Sequence, residues 1–442
     1  MSRPNIVITI ADDQRFDTIG RHGNRQIHTP SLDRLADRGT SYRRAQHGGS
    51  THGGVCAPSR AQLHTGQSLF HTSDSMCPCE PTMPRKATRT EPHPTLGRLL
   101  RDAGYDTFAT GKWHNGDESF LSSFNKGKRI FMGGMSAHFC VIGQDLPNGS
   151  GTLGPKHGLT GHSTDLFASA AMDFLKTCSP VDEKPFFLYV AFTAPHDPRT
   201  TYWRYRSRYK DEQIDLPASF KPEHPFPIYD KPMRDDVLAE SPRQAGEARM
   251  QAADYYAMIT HMDERIGELH NVLRDRGLED NTIVAHTADH GIAIGHHGLY
   301  GKQQCYDHSI RVPLIVAGPG FERGVNDDRL CHQHDLFPTL LDHAGMKGVR
   351  SDFEHLQSSS RRPTISSSFG HQVRTIRTEK LKLIAYNTPG GRITQLFNTT
   401  TDPHEVNDLS RDPSHASEAK LLHSMLVAEM GKADDPLAEA FS

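Results

Sequence analysis

Apolar residues in this chain recur with the spacing of helices in some stretches and form short unbroken runs in others. One stripe steps by four and three through six apolar residues, Tyr255, Ile259, Met262, Ile266, Leu269 and Leu273. It predicts a long helix with one face on the core, closed by Gly277. Capping residues and glycines bound further predicted helices at 29–39, 95–103, 164–177 and 417–431.

Short apolar runs alternate with these helical patterns over most of the chain. The predicted strands are Asn5–Ile10, Asp106–Thr110, Phe186–Phe192, Thr282–Thr287 and Val312–Ala317. Runs of this length without polar interruption are typical of strands that are buried on both faces. Strands that alternate with helices predict an α/β fold in which one large sheet is flanked by helices.

The pattern changes beyond about residue 345, and this change predicts a second unit. Four short runs of strand character precede the last helix, at 364–369, 373–377, 381–386 and 394–397. They predict a small antiparallel sheet, so we expect a catalytic α/β domain at 1–345 and a small C-terminal α+β subdomain at 346–442. The segment 199–244 is rich in Pro, Asp, Arg and Tyr without a clear period, which indicates an irregular surface excursion.

Composition excludes several classes of protein. The formal net charge of -3 lacks the basic excess of a general nucleic-acid binder, and no apolar run is long enough for a membrane span. Seven cysteines, an odd number in a long chain, do not form a disulfide framework, and we interpret Cys77 and Cys79 as loop thiols. The first four residues lead into a strand without a charged, apolar leader, so we expect a cytoplasmic protein, although a chain trimmed behind a signal peptide would look the same.

Cys56 stands at the start of a predicted helix, behind the glycine-rich stretch 48–54. Glycines let the backbone and a ligand approach closely, and Pro58 suits the first turn of a helix. The free N–H groups of such a turn favour negative charge. The same field lowers the pKa of a thiol, so Cys56 is a candidate for a reactive cysteine, with a buried structural cysteine as the alternative.

Polar residues follow four of the predicted strands, and ligands of open α/β sheets collect at the carboxyl ends of strands. These residues are Asp12, Asp13, Lys112, His114, His196, Asp289 and His290. Adjacent polar pairs are often caps or solvated turns, and His196 could merely brace a loop. Two pairs at two strand ends nevertheless predict a hard cation, Ca²⁺ or Mg²⁺. A thiolate is too soft for such an ion, so Cys56 is expected to act through oxygen if it belongs to this site.

The run of residues 56–66, C-A-P-S-R-A-Q-L-H-T-G, resembles the signature of the type I, formylglycine-dependent sulfatases. The stretches G-K-W-H at 111–114 and G-L-Y-G-K at 298–302 match two lysine motifs of the same family. The resemblance implies an alkaline-phosphatase-like fold, with a large mixed sheet between helices and a smaller C-terminal sheet. It also implies that a formylglycine-generating maturation enzyme oxidises Cys56 to formylglycine.

By the same resemblance, one Ca²⁺ or Mg²⁺ ion is held at the strand ends. The implied metal ligands are Asp12, Asp13, Asp289, His290 and the converted Cys56. Arg60, Lys112 and Lys302 are expected to hold the oxygens of a sulfuryl group. His196 is the expected acid for the leaving oxygen, and His114 is the expected base when sulfate is expelled.

The expected reaction is hydrolysis of a sulfate ester. We expect a sulfated carbohydrate as substrate, because segments 195–199 and 254–259 are similar to those of iduronate-sulfatase-like and polysaccharide-degrading members. Four residues would supply sugar stacking and anion contacts, or would only pack: Tyr202, Trp203, Arg204 and Tyr205. Two rivals remain, a phosphonate or phosphate ester hydrolase of the same superfamily and an unconverted protein that only binds sulfated glycans. Convincing ligands for one ion favour a sulfatase over a two-metal phosphatase.

Overall fold

A large sheet and a small sheet, each packed against helices, make up the fold. The computed structural model describes residues 3–72, 76, 93–181 and 184–442. In these residues the strands are β1 (Asn5–Ala11), β2 (Gly39–Gln46), β3 (Gly49–Ser50), β4 (Asp106–Lys112), β5 (Lys126–Phe131), β6 (Ile142–Leu146), β7 (His157–Gly158), β8 (Phe186–Ala191), β9 (Thr282–Ala288), β10 (Ala293–Ile294), β11 (Tyr300–Gly301), β12 (Leu314–Ala317), β13 (Val325–His332), β14 (Ile365–Phe369), β15 (Val373–Arg377), β16 (Leu381–Thr388) and β17 (Gly391–Asn398).

Helices cover both sheets. They are α1 (Pro30–Arg38), α2 (Cys56–Thr65), α3 (Leu96–Asp102), α4 (Asp117–Ser123), α5 (Ser163–Thr177), α6 (Trp203–Arg206), α7 (Ala245–Asp275), α8 (Asp307–Ile310), α9 (Leu336–His343) and α10 (Ala416–Lys432). A search of the described residues finds no helix with the length and apolar character that crossing a membrane requires.

The large sheet has ten strands in the order β13-β2-β12-β9-β1-β8-β4-β5-β6-β7. Its centre is parallel, because β1 pairs with β8 on one side and with β9 on the other, and β4 continues beside β8. β12 runs antiparallel between β9 and β2, which makes the sheet mixed. β1 and β8 are buried throughout, as their unbroken apolar sequences predict.

The predicted fold class and the central strands are confirmed. The long apolar stripe is the buried face of α7, and the apolar runs are β1, β4, β8, β9 and β12. The sequence pattern did not indicate β2, β5, β6 or β13. β13 is an edge strand of mainly polar sequence, Val325–His332. An edge strand buries little surface, so its sequence needs no apolar run.

The small sheet follows the order β17-β16-β15-β14-β3. Its four C-terminal strands pair antiparallel, as predicted, and α10 packs on them through Leu422, Leu426 and Met430. The fifth strand, β3, comes from the N-terminal part and pairs in parallel with the end of β14. This pairing ties the loop before Cys56 to the small sheet, while the domain boundary at 345 stays a prediction.

The segment 199–244 has little regular structure, as predicted. It contains the four-residue helix α6 and two 3-10 turns, at Asp211–Gln213 and Arg234–Leu238. Its chain nevertheless packs firmly, because Tyr205 and Tyr209 join a buried cluster with Tyr255 of α7. The excursion therefore lies on a fixed scaffold.

Candidate active site

The polar residues that follow β1 and β9 lie side by side, because these strands are parallel neighbours in register. Asp12 and Asp13 follow β1, and Asp289 and His290 follow β9. All four side chains are fully buried. A left-handed backbone at Asp13, with φ of 74°, lets its N–H donate to Asp289 Oδ1 at 3.2 Å. Strand order alone therefore gathers three carboxyl groups from two distant parts of the chain.

Cys56 is the first residue of α2, and its thiol contacts this cluster. Sγ lies 3.4 Å from Asp12 Oδ1 and 3.2 Å from His290 Nε2. Burial raises the pKa of the thiol, but the positive charges of Lys112 and Lys302 outweigh it and hold that pKa well below its ordinary value. The thiolate is the reactive form of cysteine, so Cys56 is held in that form.

Two buried lysines face the acids that follow β1. Lys112, at the end of β4, donates from Nζ to Asp12 Oδ2 at 2.6 Å. Lys302, next to β11, donates to Asp13 Oδ1 at 2.8 Å, and its Nζ lies 2.9 Å from His196 Nε2. Burial lowers the pKa of Lys302, but the facing carboxylate and thiolate raise it well above its ordinary value. Both lysines are therefore fixed positive charges beside the thiol.

Arg60 lies one turn into α2 and is fully buried. Its Nε donates to Asp289 Oδ2 at 3.0 Å, and its Nη1 donates to the backbone carbonyl oxygen of Lys112 at 3.0 Å. The sequence predicts that Arg60 holds a sulfuryl group, whereas in the structure its guanidinium is bound to Asp289. Only Nη2 has no partner among the described residues. Arg60 thus orients a carboxylate of the cluster.

His196 and His114 approach the same thiol from two other strand ends. His196 follows β8, and burial lowers its pKa, but the charge of Asp13 reverses this and raises it above its ordinary value. His114 follows β4 with a left-handed backbone, φ 67°. A hydrogen bond from His114 helps to lower the pKa of Cys56. Every strand-end residue that the sequence singled out therefore lies around one point.

The donors fit a single hard cation. Two overlapping sets have ligand atoms within 4.8 Å of one another, Asp12, Cys56, Asp289 and His290, and Asp12, Asp13, Cys56 and His196. One buried oxygen, Asp13 Oδ2, has no hydrogen-bond partner among the described residues. A buried carboxylate oxygen left unpaired costs free energy that a bound cation would recover. The cluster is therefore a possible metal site, with carboxylate oxygens as its main donors.

Three further residues support the cluster by hydrogen bonds to its backbone carbonyl groups. Tyr255 of α7 donates its hydroxyl to the carbonyl oxygen of Asp13 at 2.7 Å. Ser59 Oγ and Gln333 Nε2 both donate to the carbonyl oxygen of Asp289, at 2.6 and 3.2 Å. The apolar stripe marks Tyr255 as a core residue, but its hydroxyl contact depends on where α7 crosses β1. Ser59 lies in the run 56–66 and Tyr255 in the segment 254–259, but no local signal indicates these contacts, and none marks Gln333.

Other buried histidines have packing contacts. His64 packs on Trp113 with ring centroids 4.3 Å apart, and His297 stacks on Tyr306 at 3.9 Å. Both histidines are buried. His47 is closer to the site, because its ring centroid lies 6.2 Å from that of His290.

The aromatic residues expected to contact sugar divide into two kinds. Tyr205 is fully buried, with its hydroxyl 2.9 Å from Glu264 Oε1, so it packs. Trp203 is 77% exposed and stays available for a ligand. The loop thiols Cys77 and Cys79 fall outside the described residues.

Comparisons with known proteins place this site in a family. A family model described as Sulfatase matches residues 4–346. The chain is 28% identical to the arylsulfatase of Clostridium perfringens (strain 13 / Type A), over 97% of this chain and 94% of that protein. A structure solved in complex with its substrate, D-glucosamine-2-N,6-O-disulfate, has a TM-score of 0.78 at 22% identity and covers 98% of this chain and 99% of its own.

A phosphonate monoester hydrolase of Agrobacterium radiobacter is also similar in structure. Its TM-score is 0.74 at 21% identity, with 98% of this chain and 96% of that chain covered. Both structural likenesses show the fold, and the family model covers most of the chain, including every residue of the cluster around Cys56. The chain therefore belongs to the sulfatase family and is a sulfuric ester hydrolase.

Proposed function

We propose that this protein hydrolyses the sulfate ester of a carbohydrate, with residue 56 working as formylglycine beside one divalent cation. The observation that carries the proposal is the position of Cys56 Sγ, 3.4 Å from Asp12 Oδ1 and 3.2 Å from His290 Nε2, among fully buried carboxyl groups. A thiolate is a soft donor among hard ones. Conversion of Cys56 to formylglycine replaces sulfur by oxygen and removes this mismatch.

The cation would be held by Asp12, Asp13, Asp289 and His290, together with the converted residue 56. Carboxylate oxygens favour Ca²⁺, with Mg²⁺ as the second choice, and the unpartnered Oδ2 of Asp13 supports a ligand role for that residue. When bound, the ion supplies positive charge that favours the deprotonated form of an oxygen nucleophile at position 56. Arg60 fixes the orientation of the Asp289 ligand.

The net reaction converts a sulfate ester and water into an alcohol, sulfate and a proton. An oxygen of the hydrated formylglycine at position 56 forms a bond to sulfur as the bond between sulfur and the alcohol oxygen breaks, and the alcohol oxygen gains a proton. Sulfate then leaves when its bond to the carbon of residue 56 breaks, which restores the aldehyde. Lys112 and Lys302 would hold the sulfuryl oxygens, because both are buried positive charges beside position 56. His196, 2.9 Å from Lys302 Nζ, would hold the proton that the alcohol oxygen takes up, and His114 would accept a proton when sulfate is released.

A sulfated carbohydrate is the proposed substrate class. One protein of the same fold was solved with D-glucosamine-2-N,6-O-disulfate as its substrate. The segments 195–199 and 254–259 also resemble those of carbohydrate sulfatases. A sugar sulfate joins a polar ring to an anionic group, which suits a site with two lysines and two histidines.

Two measurements on one preparation test the proposal. Free sulfate is measured after incubation with a panel of sulfated mono- and oligosaccharides, and the peptide that contains residue 56 is weighed. We expect sulfate release from at least one sugar and a peptide roughly 18 Da lighter than the thiol form. Cys56→Ala should lose about 1,000-fold or more in turnover without a change in melting temperature. Full activity with an unmodified thiol would contradict the formylglycine assignment.

A phosphonate or phosphate ester hydrolase is the second candidate, because a phosphonate monoester hydrolase shares the fold. Turnover of p-nitrophenyl phosphate or phenyl phosphonate without turnover of any sulfate ester would favour it. An unconverted thiol, no turnover of any ester and retained binding of a sulfated glycan would instead favour a binding protein.

A further inference from the structure

An exposed apolar surface borders the candidate active site. Met135 and Phe139, in the loop between β5 and β6, form one half of it, and Tyr202 and Trp203, at the start of α6, form the other; we call these four residues the apolar platform. The side chains of Met135, Phe139 and Trp203 are large and exposed, 51%, 41% and 77% respectively. Large apolar side chains that gather at a surface usually mark a binding surface.

The loop that carries Met135 and Phe139 is anchored to the site by His138, which is fully buried. His138 Nε2 lies 2.9 Å from the carbonyl oxygen of His196, and Nδ1 lies 2.8 Å from Ser163 Oγ. Burial lowers the pKa of His138 to about 4, so the ring is neutral and can donate to the carbonyl while it accepts from the serine. The loop is thereby tied to the backbone of the proposed proton donor.

The same loop also touches the second histidine of the site. A Cβ added at Gly134 would lie 2.8 Å from both Cε1 and Nε2 of His114, so the close approach of loop and ring requires glycine. The next residue, Met135, has its Sδ 2.8 Å from Arg234 Nη1. Arg234 in turn forms a two-pronged ion pair with Asp197, the neighbour of His196. The loop that carries Met135 therefore reaches His114 and the neighbour of His196.

The two halves of the platform pack on each other. The rings of Phe139 and Tyr202 meet edge to face with centroids 5.3 Å apart, and both contact the ring of His162. Trp203 follows Tyr202 directly and is the most exposed of the four. Segments about 60 residues apart in the sequence thus meet through Phe139 and Tyr202, whose rings keep their positions through mutual contact.

We propose that the apolar platform binds the sugar unit next to the one whose sulfate is removed, so that the substrate is an oligosaccharide rather than a monosaccharide. This inference rests on the proposed function. The C–H groups on the face of a sugar ring are weakly positive and pack well on the negative face of an aromatic ring. Arg234, half exposed at the edge of the platform, adds a cation for a hydroxyl or sulfate of the same unit.

Tryptophan fluorescence tests binding without any need for turnover. The chain has two tryptophans, and Trp113 is buried, so a ligand on the platform changes the emission of Trp203 alone. A heparin-derived tetrasaccharide should shift this emission to the blue and bind about tenfold more tightly than glucosamine 6-sulfate. Phe139→Ala should remove this advantage. Leu421→Ala, an equally apolar change at an exposed residue of α10, should leave it intact.

Kinetics separate failure of the platform from failure of the proposed function. In Phe139→Ala, kcat/KM for p-nitrophenyl sulfate should stay unchanged, because that ester has no second sugar unit to place on the platform, while KM for the tetrasaccharide rises about tenfold. Equal affinity for tetrasaccharide and monosaccharide, or an unchanged KM in the variant, would overturn the platform and leave the esterase chemistry intact. Platform-dependent binding without sulfate release from any ester would contradict the proposed function and leave the platform as a binding surface for the oligosaccharide. Dimerisation that Phe139→Ala abolishes would show that a second copy covers the surface.

Discussion

The low pKa of Cys56 depends on two lysines more than on the helix that begins at this residue. A helix N-terminus carries roughly half a positive charge, whereas Lys112 and Lys302 each carry a full one. Lys302 Nζ lies 3.6 Å from Sγ, and Lys112 shares Asp12 with the thiol. The sequence singles out Cys56 as a candidate reactive cysteine, and the main causes of its low pKa lie in two other parts of the chain.

Replacement of Arg60 by alanine should destabilise the fold strongly. The change would leave the buried carboxylate of Asp289 without its cation, and breaking a buried ion pair costs about 3–5 kcal/mol. Urea unfolding of Arg60→Ala should show this loss in the free energy of unfolding. Arg98→Ala is the matched control, because Arg98 is half exposed and its pair with Asp102 contributes about 0.5 kcal/mol or less. Equal stability of the two variants would contradict the structural role of Arg60.

Gly134→Ala should impair turnover while stability changes little. The added Cβ would lie 2.8 Å from the ring of His114, so that ring has to move away from the thiol. In the proposed reaction His114 acts on a proton and not on substrate binding, so we expect kcat to fall about 10-fold or more with KM nearly constant. Gly246→Ala serves as control, since a Cβ there meets no atom within 4 Å. A rise in KM alone would place His114 in binding instead.

At the scale of elements, α1 depends on a side chain from α7 for its first turn. The carboxylate of Asp263 accepts from the backbone N–H groups of Ser31 and Leu32, at 2.9 and 2.7 Å. Thr29, the residue before the helix, makes no side-chain cap of its own. A helix that starts without a local cap thus borrows one from a neighbouring helix.

Removal of that carboxylate should therefore cost stability. In Asp263→Ala two buried N–H groups lose their acceptor, and we expect a loss of about 1–3 kcal/mol in the free energy of unfolding. Asp263→Asn keeps one acceptor oxygen, so its free energy of unfolding should lie between those of Asp263→Ala and the parent chain. Asp275→Ala, at the exposed end of the same helix, should change stability by less than about 0.5 kcal/mol. Indistinguishable melting of the three variants would show that water caps α1 instead.

Which elements the sequence predicts depends on how much surface each one buries. β1 and β8 lie at the centre of the sheet and are buried throughout, so their apolar runs predict them. β3 has two residues and joins the small sheet from the N-terminal part. A stretch of two residues is too short to show a periodic pattern of apolar positions. Its partner strand lies more than 300 positions away, so the neighbouring sequence does not indicate the pairing.

For the molecule as a whole, buried neutral histidines set the response to acid. Among the described residues, burial lowers the pKa of nine histidines to about 3 or 4: His22, His64, His138, His162, His224, His270, His286, His297 and His334. In the unfolded chain the same groups titrate near 6.5. The unfolded state therefore binds more protons below pH 6.5, and the stability that these histidines contribute above that pH is lost as the pH falls.

The free energy of unfolding should consequently drop steeply between pH 7 and pH 5. Each buried histidine with a folded pKa of 3 or 4 contributes about 2 kcal/mol to that drop. Urea titrations at several pH values give the free energy of unfolding as a function of pH. This dependence should be shallower for His270→Leu, because one of the titrating groups is removed. His157→Leu, at an exposed position, should keep the parent slope. An unchanged slope in His270→Leu would mean that this residue is protonated in the folded protein.

The sequence by itself determined the central strands, the acids and histidines at their ends, and the cysteine motif, because burial, period and short spacing are local properties. Only the tertiary structure decided which of these groups meet. Lys112 and Asp12 lie 100 positions apart and Lys302 and Asp13 lie 289 apart, yet strand order brings each pair within hydrogen-bond distance. The bond of Arg60 to Asp289 and the platform beside His196 have the same origin, since side chains from distant segments meet only when the sheet and its loops are assembled.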